Sequence, residues 1–169
     1  KKGLLSESML EVLVPEAARY GVKTALDPKP GSLLPVPGIT VIKPNRSEAI
    51  KMCGLDHADS LPLDTVADAL LAKWQPEHLL ISLAQDGMAL FSRNGGKTVI
   101  PTRAKEVFDV SGAGDTVVAS YMLSLAAGAL PEEAAEISNY AAGVVVGKVG
   151  TSPVSAEELR NEIKFGKRI

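Results

Sequence analysis

The sequence predicts an α/β fold in which a mostly parallel sheet is covered by helices on both faces. Short apolar runs alternate with segments whose apolar residues recur at helical spacing, and the apolar runs end in polar residues of the kind that line the carboxyl edge of such a sheet. Only one stretch, near the middle, carries the tight turns of a β-meander.

From Ser6 to Tyr20 the residues Met9, Leu10, Leu13, Val14 and Ala17 mark a core-facing helix that starts at a serine and stops at Gly21. Val22 to Leu26 and Ile39 to Ile42 read as buried strands, ending in Asp27-Pro28 and Lys43-Pro44-Asn45. Pro28, Pro30, Pro35 and Pro37 exclude regular structure between them, because proline lacks a backbone donor and fixes its own φ. Helices follow over Asn45 to Met52 and Asp64 to Trp74. The meander then runs through strand Leu79 to Leu83, the turn Gln85-Asp86-Gly87, strand Met88 to Phe91, the turn Asn94-Gly95-Gly96 and strand Lys97 to Ile100. Two apolar helices, roughly Asp115 to Ala127 and Pro131 to Lys148, precede a polar helix from Ser155. Met88, Met122, Leu123 and Leu125 read as core. The chain opens in a helix where a complete doubly wound domain has strands first, which predicts the carboxyl-terminal portion of a larger fold. The strand edge left unpaired predicts self-association, a homodimer among the outcomes.

A chain of 169 residues that is 46% hydrophobic suits one compact domain over 1–169. The formal charge of -2, with no basic run, argues against nucleic acid as a partner. No stretch is long and apolar enough to span a bilayer, and Lys1-Lys2 leads into an amphipathic segment without a cleavable signal pattern. Cys53 is the only cysteine, so no internal disulfide forms; a reduced, cytoplasmic setting fits. His57 and His78 lack partners at ligand spacing and read as surface residues rather than a zinc site.

Gly112-Ala113-Gly114-Asp115 opens an apolar helix. Small residues at a helix start let backbone N–H groups converge on one anion, and Asp115 in the first turn has the chemistry of a general base. A plain N-terminal cap explains the same residues. Asn45-Arg46-Ser47-Glu48 carries the same two readings: a capping box, or Asn45 and Glu48 near magnesium-bound phosphates. Asp27, Lys29 and Lys43 add charge at the same sheet edge, each explicable as a solvated loop residue. Ser82 with Gln85-Asp86-Gly87 closes a strand with a glycine turn, which a simple hairpin also explains. A dinucleotide-binding dehydrogenase is disfavoured, because these glycines come late and lack the G-x-G-x-x-G spacing.

With those residues in view, Asp109-Val110-Ser111-Gly112-Ala113-Gly114-Asp115 resembles the second signature of the ribokinase-like (PfkB-type) carbohydrate kinases. Asp27-Pro28-Lys29, the Asn45-x-x-Glu48 motif and Ser138-Asn139 to Gly143 before Gly147 to Thr151 agree in order. Within the family, the spellings are most similar to heptose-7-phosphate kinase domains. The resemblance implies a three-layer αβα fold without its lid, ATP with magnesium, and a sugar or sugar-phosphate acceptor. A kinase for another sugar or nucleoside, and a catalytically silent nucleotide-binding module, are the alternatives; Asp115 and Glu48 argue against the silent one. It also implies that Asp115 is the base beside an anion hole of Gly112, Ala113 and Gly114. Asn45, Arg46, Ser47 and Glu48 would contact the nucleotide and magnesium. Ser82, Gln85 and Gly87 would lie on the phosphate side, and Asn139 and Gly143 beside the adenine. Asp109 and Ser111 correspond to a potassium-type cation site in some members.

Overall fold

The computed structural model describes residues 6–29, 35–54, 61–103 and 107–166; Lys1-Lys2, Pro30 and His57 lie outside them. Among the described residues five strands form one mixed, mostly parallel sheet in the order β1-β2-β3-β4-β5, with six α-helices. They are β1 (Ala25–Leu26), β2 (Val41–Ile42), β3 (His78–Ser82), β4 (Met88–Ser92) and β5 (Lys97–Ile100). Parallel pairing sets Ala25 beside Val41 and Val41 beside His78. In β3 the run Leu79-Leu80-Ile81 is buried without alternation, as a strand covered on both faces requires, whereas β5 buries only Ile100.

The first two strands are shorter than their apolar runs. Thr24 and Thr40 exchange side-chain bonds: each backbone N–H donates to the other's Oγ1, at 3.1 and 3.2 Å. Regular pairing begins at the next residue of each strand, and Val22 is exposed.

The chain divides into two compact units, one comprising 1–82 with 90–97 and the other 83–89 with 98–169. In the first, α1 (Glu7–Arg19) is capped by Ser6, α2 (Arg46–Met52) by Asn45, and α3 (Leu63–Trp74) ends on the buried Trp74. Leu10 and Val14 of α1 are buried, but Leu13 is exposed, contrary to its core-facing prediction. The buried stripe follows Leu10, Val14 and the half-buried Ala17, spacings of four and three, and Leu13 lies one residue off it. His78 is half-buried on β3 rather than at the surface. Among the described residues no helix is long and apolar enough to cross a membrane.

In the second unit α4 (Ala113–Ala126) packs along α5 (Pro131–Val146), and α5 also touches α6 (Ala156–Phe165). Val117, Tyr121 and Leu125 form the buried stripe of α4, while α5 buries Ala134, Ala135 and Ala141, whose small side chains allow close approach. Leu123, read as core, is 72% exposed: α4 is apolar nearly all round, and Leu123 is not on its buried stripe.

No residue of α6 is fully buried, so polar contacts carry much of its attachment. Ser155 and Glu158 form a capping box, and Lys148 Nζ reaches Glu158 Oε1 at 2.7 Å and the Pro153 carbonyl at 2.9 Å. The Lys148 ammonium and the Ser155 groups bring the Glu158 carboxyl from 4.5 to about 2. The folded value is the depressed one, so this contribution is fully present above pH 4.5 and is lost as pH falls through about 2. We expect the Glu158 carboxyl, followed by NMR, to titrate near 2, with the helical shifts of α6 fading in the same window, and Lys148→Met to move the titration back toward 4.5. A Glu158 that titrates as an ordinary glutamate in the unaltered protein would contradict this attachment.

Candidate active site

Parallel pairing delivers the carboxyl ends of β1, β2 and β3 to one edge of the first unit. Asp27 and Lys29 follow β1, Lys43 and Asn45 follow β2, and Ser82 ends β3 in a parallel bridge with Asn45. Ser82 N–H donates to the Pro44 carbonyl at 3.2 Å. The capping box is present: Asn45 Oδ1 accepts from Glu48 N–H and Glu48 Oε2 accepts from Asn45 N–H, both at 2.9 Å. The other Glu48 oxygen, Oε1, accepts from Lys29 Nζ at 2.8 Å, and Lys29 also lies 3.4 Å from both Asp27 oxygens.

Burial pushes the Glu48 carboxyl up, yet the Asn45 N–H, the Lys29 ammonium and the field of Lys43 outweigh it and hold Glu48 below the usual carboxylate range. The Glu48 hydrogen bond in turn raises the Lys29 ammonium above its ordinary value. Lys43, which the sequence allowed as a sheet-edge charge or a solvated loop residue, is only 4% exposed. The signal was present in its position, directly after the buried run Ile39 to Ile42. The Arg46 guanidinium turns away from this cluster to the Leu61 carbonyl at 3.2 Å, and Ser47 is exposed on the first turn of α2.

In the second unit, Asp109 organises the loop before α4. Its Oδ1 accepts from Ser111 N–H at 2.8 Å and its Oδ2 from Gly150 N–H at 3.1 Å; the Ser111 bonds, with help from Gly150, hold its carboxyl below the usual range. Gly112 adopts φ +80 as N-cap, with the Thr151 methyl 3.4 Å from where a Cβ would stand. No side chain caps α4. Ala113 N–H donates to the Val110 carbonyl, whereas the N–H groups of Gly114 and Asp115 have no partner among the described residues. Two unpaired donors stand at the positive end of a 14-residue helix, where negative charge is favoured, and the exposed Asp115 carboxylate belongs to the same turn.

The Ala84–Asp86 turn carries the exposed Gln85 and ends on Gly87 at φ +94. A Cβ on Gly87 would collide with the Ile100 carbonyl oxygen and stand 2.6 Å from Thr102 N. From α5, the buried Asn139 donates its Nδ2 to the Pro101 carbonyl at 2.6 Å, and Arg103 lies over the Tyr140 ring while pairing with Glu136. The segment 100–103 is therefore held by two elements of its own unit, the Gly87 turn and α5. The half-buried Gly143 lies one turn beyond Asn139 on α5. The roles of Pro101, Gly150 and Thr151 as fixed points were not visible in the sequence, because each acts through backbone or a methyl contact.

Among the described residues no three His, Cys, Asp or Glu side chains gather as a metal cage. A hydrated magnesium ion would therefore meet Glu48 and Asn45 only from outside its water shell. Because Gly87 is fixed by sterics, Gly87→Ala should cost roughly 2 kcal/mol or more, the range for overpacking combined with a strained φ. Urea unfolding measures it; a midpoint equal to that of the unaltered protein would show that the turn has room.

The sequence matches the profile of the pfkB family carbohydrate kinases over residues 7–158. The bifunctional protein HldE of Desulfatibacillum aliphaticivorans is 42% identical over 163 residues, covering 96% of this chain and 33% of that protein. HldE of Geobacter metallireducens is 41% identical over 164 residues, covering 97% and 34%. The chain thus spans about a third of the length of the curated relatives it matches. Arabidopsis thaliana ribokinase, solved with ribose and ATP, superposes with a TM-score of 0.80 at 23% identity, over 94% of this chain and 53% of that one. Escherichia coli phosphofructokinase-2, solved with potassium, gives 0.77 at 17% identity, over 97% and 54%. These likenesses show the ribokinase-like fold. With the profile matched over most of its length, the chain belongs to the pfkB family of carbohydrate kinases.

Proposed function

We propose that this chain is the nucleotide-binding and catalytic part of an ATP-dependent kinase that phosphorylates a sugar-phosphate hydroxyl, with heptose 7-phosphate as the acceptor. The observation that carries the reading is the start of α4, where the unpaired N–H groups of Gly114 and Asp115 and the Asp115 carboxylate share one turn. Charge builds on the equatorial oxygens of a phosphoryl group in transfer, and fixed N–H donors stabilise it without reorganising. Asp115 accepts the acceptor hydroxyl's proton as that oxygen attacks phosphorus and the bond to the ADP oxygen breaks. Gly112 is part of the same cradle, its positive φ turning the chain into the helix; Ala113 N–H joins it if its bond to Val110 opens.

The charged cluster of the first unit serves the triphosphate in this reading. Glu48 and Asn45 bind the water shell of magnesium, which when bound neutralises phosphate charge, and Ser82, Gln85 and Gly87 line the phosphate side. Asn139 acts on the adenine side by fixing Pro101, with Gly143 beside it. Asp109 and Ser111 keep lone pairs for a potassium ion. Heptose 7-phosphate is favoured by the spelling of Asp109 to Val117 and Ala141 to Thr151 and by likeness to bifunctional HldE proteins. A cytoplasmic location and a homodimer belong to the same reading.

In the intact protein, Asp115→Asn should lower kcat by on the order of 100-fold or more and leave ATP affinity within a few-fold, as removal of a general base does. Coupled ADP-release kinetics with heptose 7-phosphate beside several simple sugars tests both parts. Near-unaltered turnover would remove Asp115 from the mechanism, and preference for another sugar would overturn the acceptor.

A further inference from the structure

Lys29 has no role in the reading above, yet its ammonium occupies the position between two carboxylates where a cation is most favoured. It lies 2.8 Å from Glu48 Oε1 and 3.4 Å from each Asp27 oxygen. We propose that Lys29 is an exchangeable counter-ion: it holds Glu48 Oε1 as the structure shows, and moves to the triphosphate when nucleotide and magnesium bind, releasing that oxygen to the metal's water shell. The inference rests on the kinase reading and deepens it.

Three features carry the argument. The first is the division of labour on Glu48. Oε2 serves the capping box and Oε1 serves Lys29, so the ammonium can leave without uncapping α2. The second is the contrast between the two lysines. Lys43 is 4% exposed and contributes a fixed positive field at Glu48, whereas the Lys29 side chain is 44% exposed on a flexible stem. An exposed ion pair is held weakly and exchanges at little cost. The third is charge balance. Asp27 and Glu48 are matched by Lys29 and Lys43, one for one, and a magnesium-nucleotide complex arrives with net negative charge. The metal takes over neutralisation of the carboxylates while the phosphates offer Lys29 a more charged acceptor. Lys29 is thus a positioning residue for Glu48 before binding and a phosphate ligand after it.

The test compares the intact protein with Lys29→Met and Glu48→Gln by three measurements: Mn2+ binding without nucleotide by electron paramagnetic resonance, ATP binding with magnesium by calorimetry, and thermal unfolding. Exchange predicts opposite changes in Lys29→Met. Bare Mn2+ should bind about threefold or more tighter, because a competing cation is gone, and the magnesium-nucleotide complex about threefold or more weaker, because a phosphate ligand is gone. Glu48→Gln should lose the bare-metal binding. If Lys29 is only a structural pin, Lys29→Met lowers the unfolding temperature and leaves both affinities unchanged, which overturns the exchange and leaves the kinase reading standing. If both affinities move in the same direction, the exchange is also wrong. An unaltered protein that binds no magnesium-nucleotide complex overturns the kinase reading itself, and the exchange with it.

Discussion

The Glu48 carboxylate is the constraint on which the charged edge depends. One oxygen closes the capping box with Asn45 and so fixes where α2 begins; the other draws Lys29, and through it Asp27, toward the same point. The arrangement makes the choice between a cap and a ligand unnecessary. A carboxylate has enough lone pairs to satisfy an orphan N–H on one oxygen and meet a cation with the other. The parallel strands supply the remainder. Since β1, β2 and β3 run in one direction, the residues that follow them arrive at one edge, whatever the length of the loops between.

In the second unit, side chains that bond backbone fix the loops. Asp109 ties Ser111 to Gly150, Asn139 ties α5 to Pro101, and Gly87 lets the turn press against residues 100–102. A side-chain-to-backbone bond constrains position without demanding a particular partner side chain. Such anchors are therefore compatible with loops whose own sequence is dictated by another need, here the small residues 112–114 at the start of α4. Asn139 is buried with its amide committed to the Pro101 carbonyl.

How much of this was legible in the sequence varied with the physics involved. Helix limits were readable because caps are local: Ser6, Asn45 and Ser155 each mark a start, and the structure begins its helices one residue later. The meander was readable from its glycine turns. Burial was less so, since a period of 3.6 residues defines a direction but not the width of the covered stripe. Leu13 fits the period and still faces outward, and Leu123 lies off the buried stripe of a helix that is apolar nearly all round. The Thr24–Thr40 exchange was hidden because it joins residues 16 apart. Of the two readings of Lys43 the solvated one fails, as its place directly after a buried run allowed. The pairing of Lys29 with Glu48 spans 19 residues and has no periodic signature at all.

The turn between β3 and β4 shows how the chain distributes strain. Two of its residues take positive φ: Ala84 at 54° and Gly87 at 94°. A left-handed conformation costs a non-glycine residue roughly 1–2 kcal/mol. Glycine stands at the second position, where a Cβ has no space against the Ile100 carbonyl, and alanine at the first, where the conformation is costly but occurs in a residue of small volume. Steric exclusion is absolute and dihedral strain is graded, so the former fixes residue identity more firmly. The strain at Ala84 persists because both ends of its turn are held: Leu83 N–H donates to the Gly87 carbonyl at 2.8 Å, and Gly87 N–H donates to the Ala84 carbonyl at 3.1 Å. A turn fastened in this way presents Gln85 and its neighbouring backbone in one orientation.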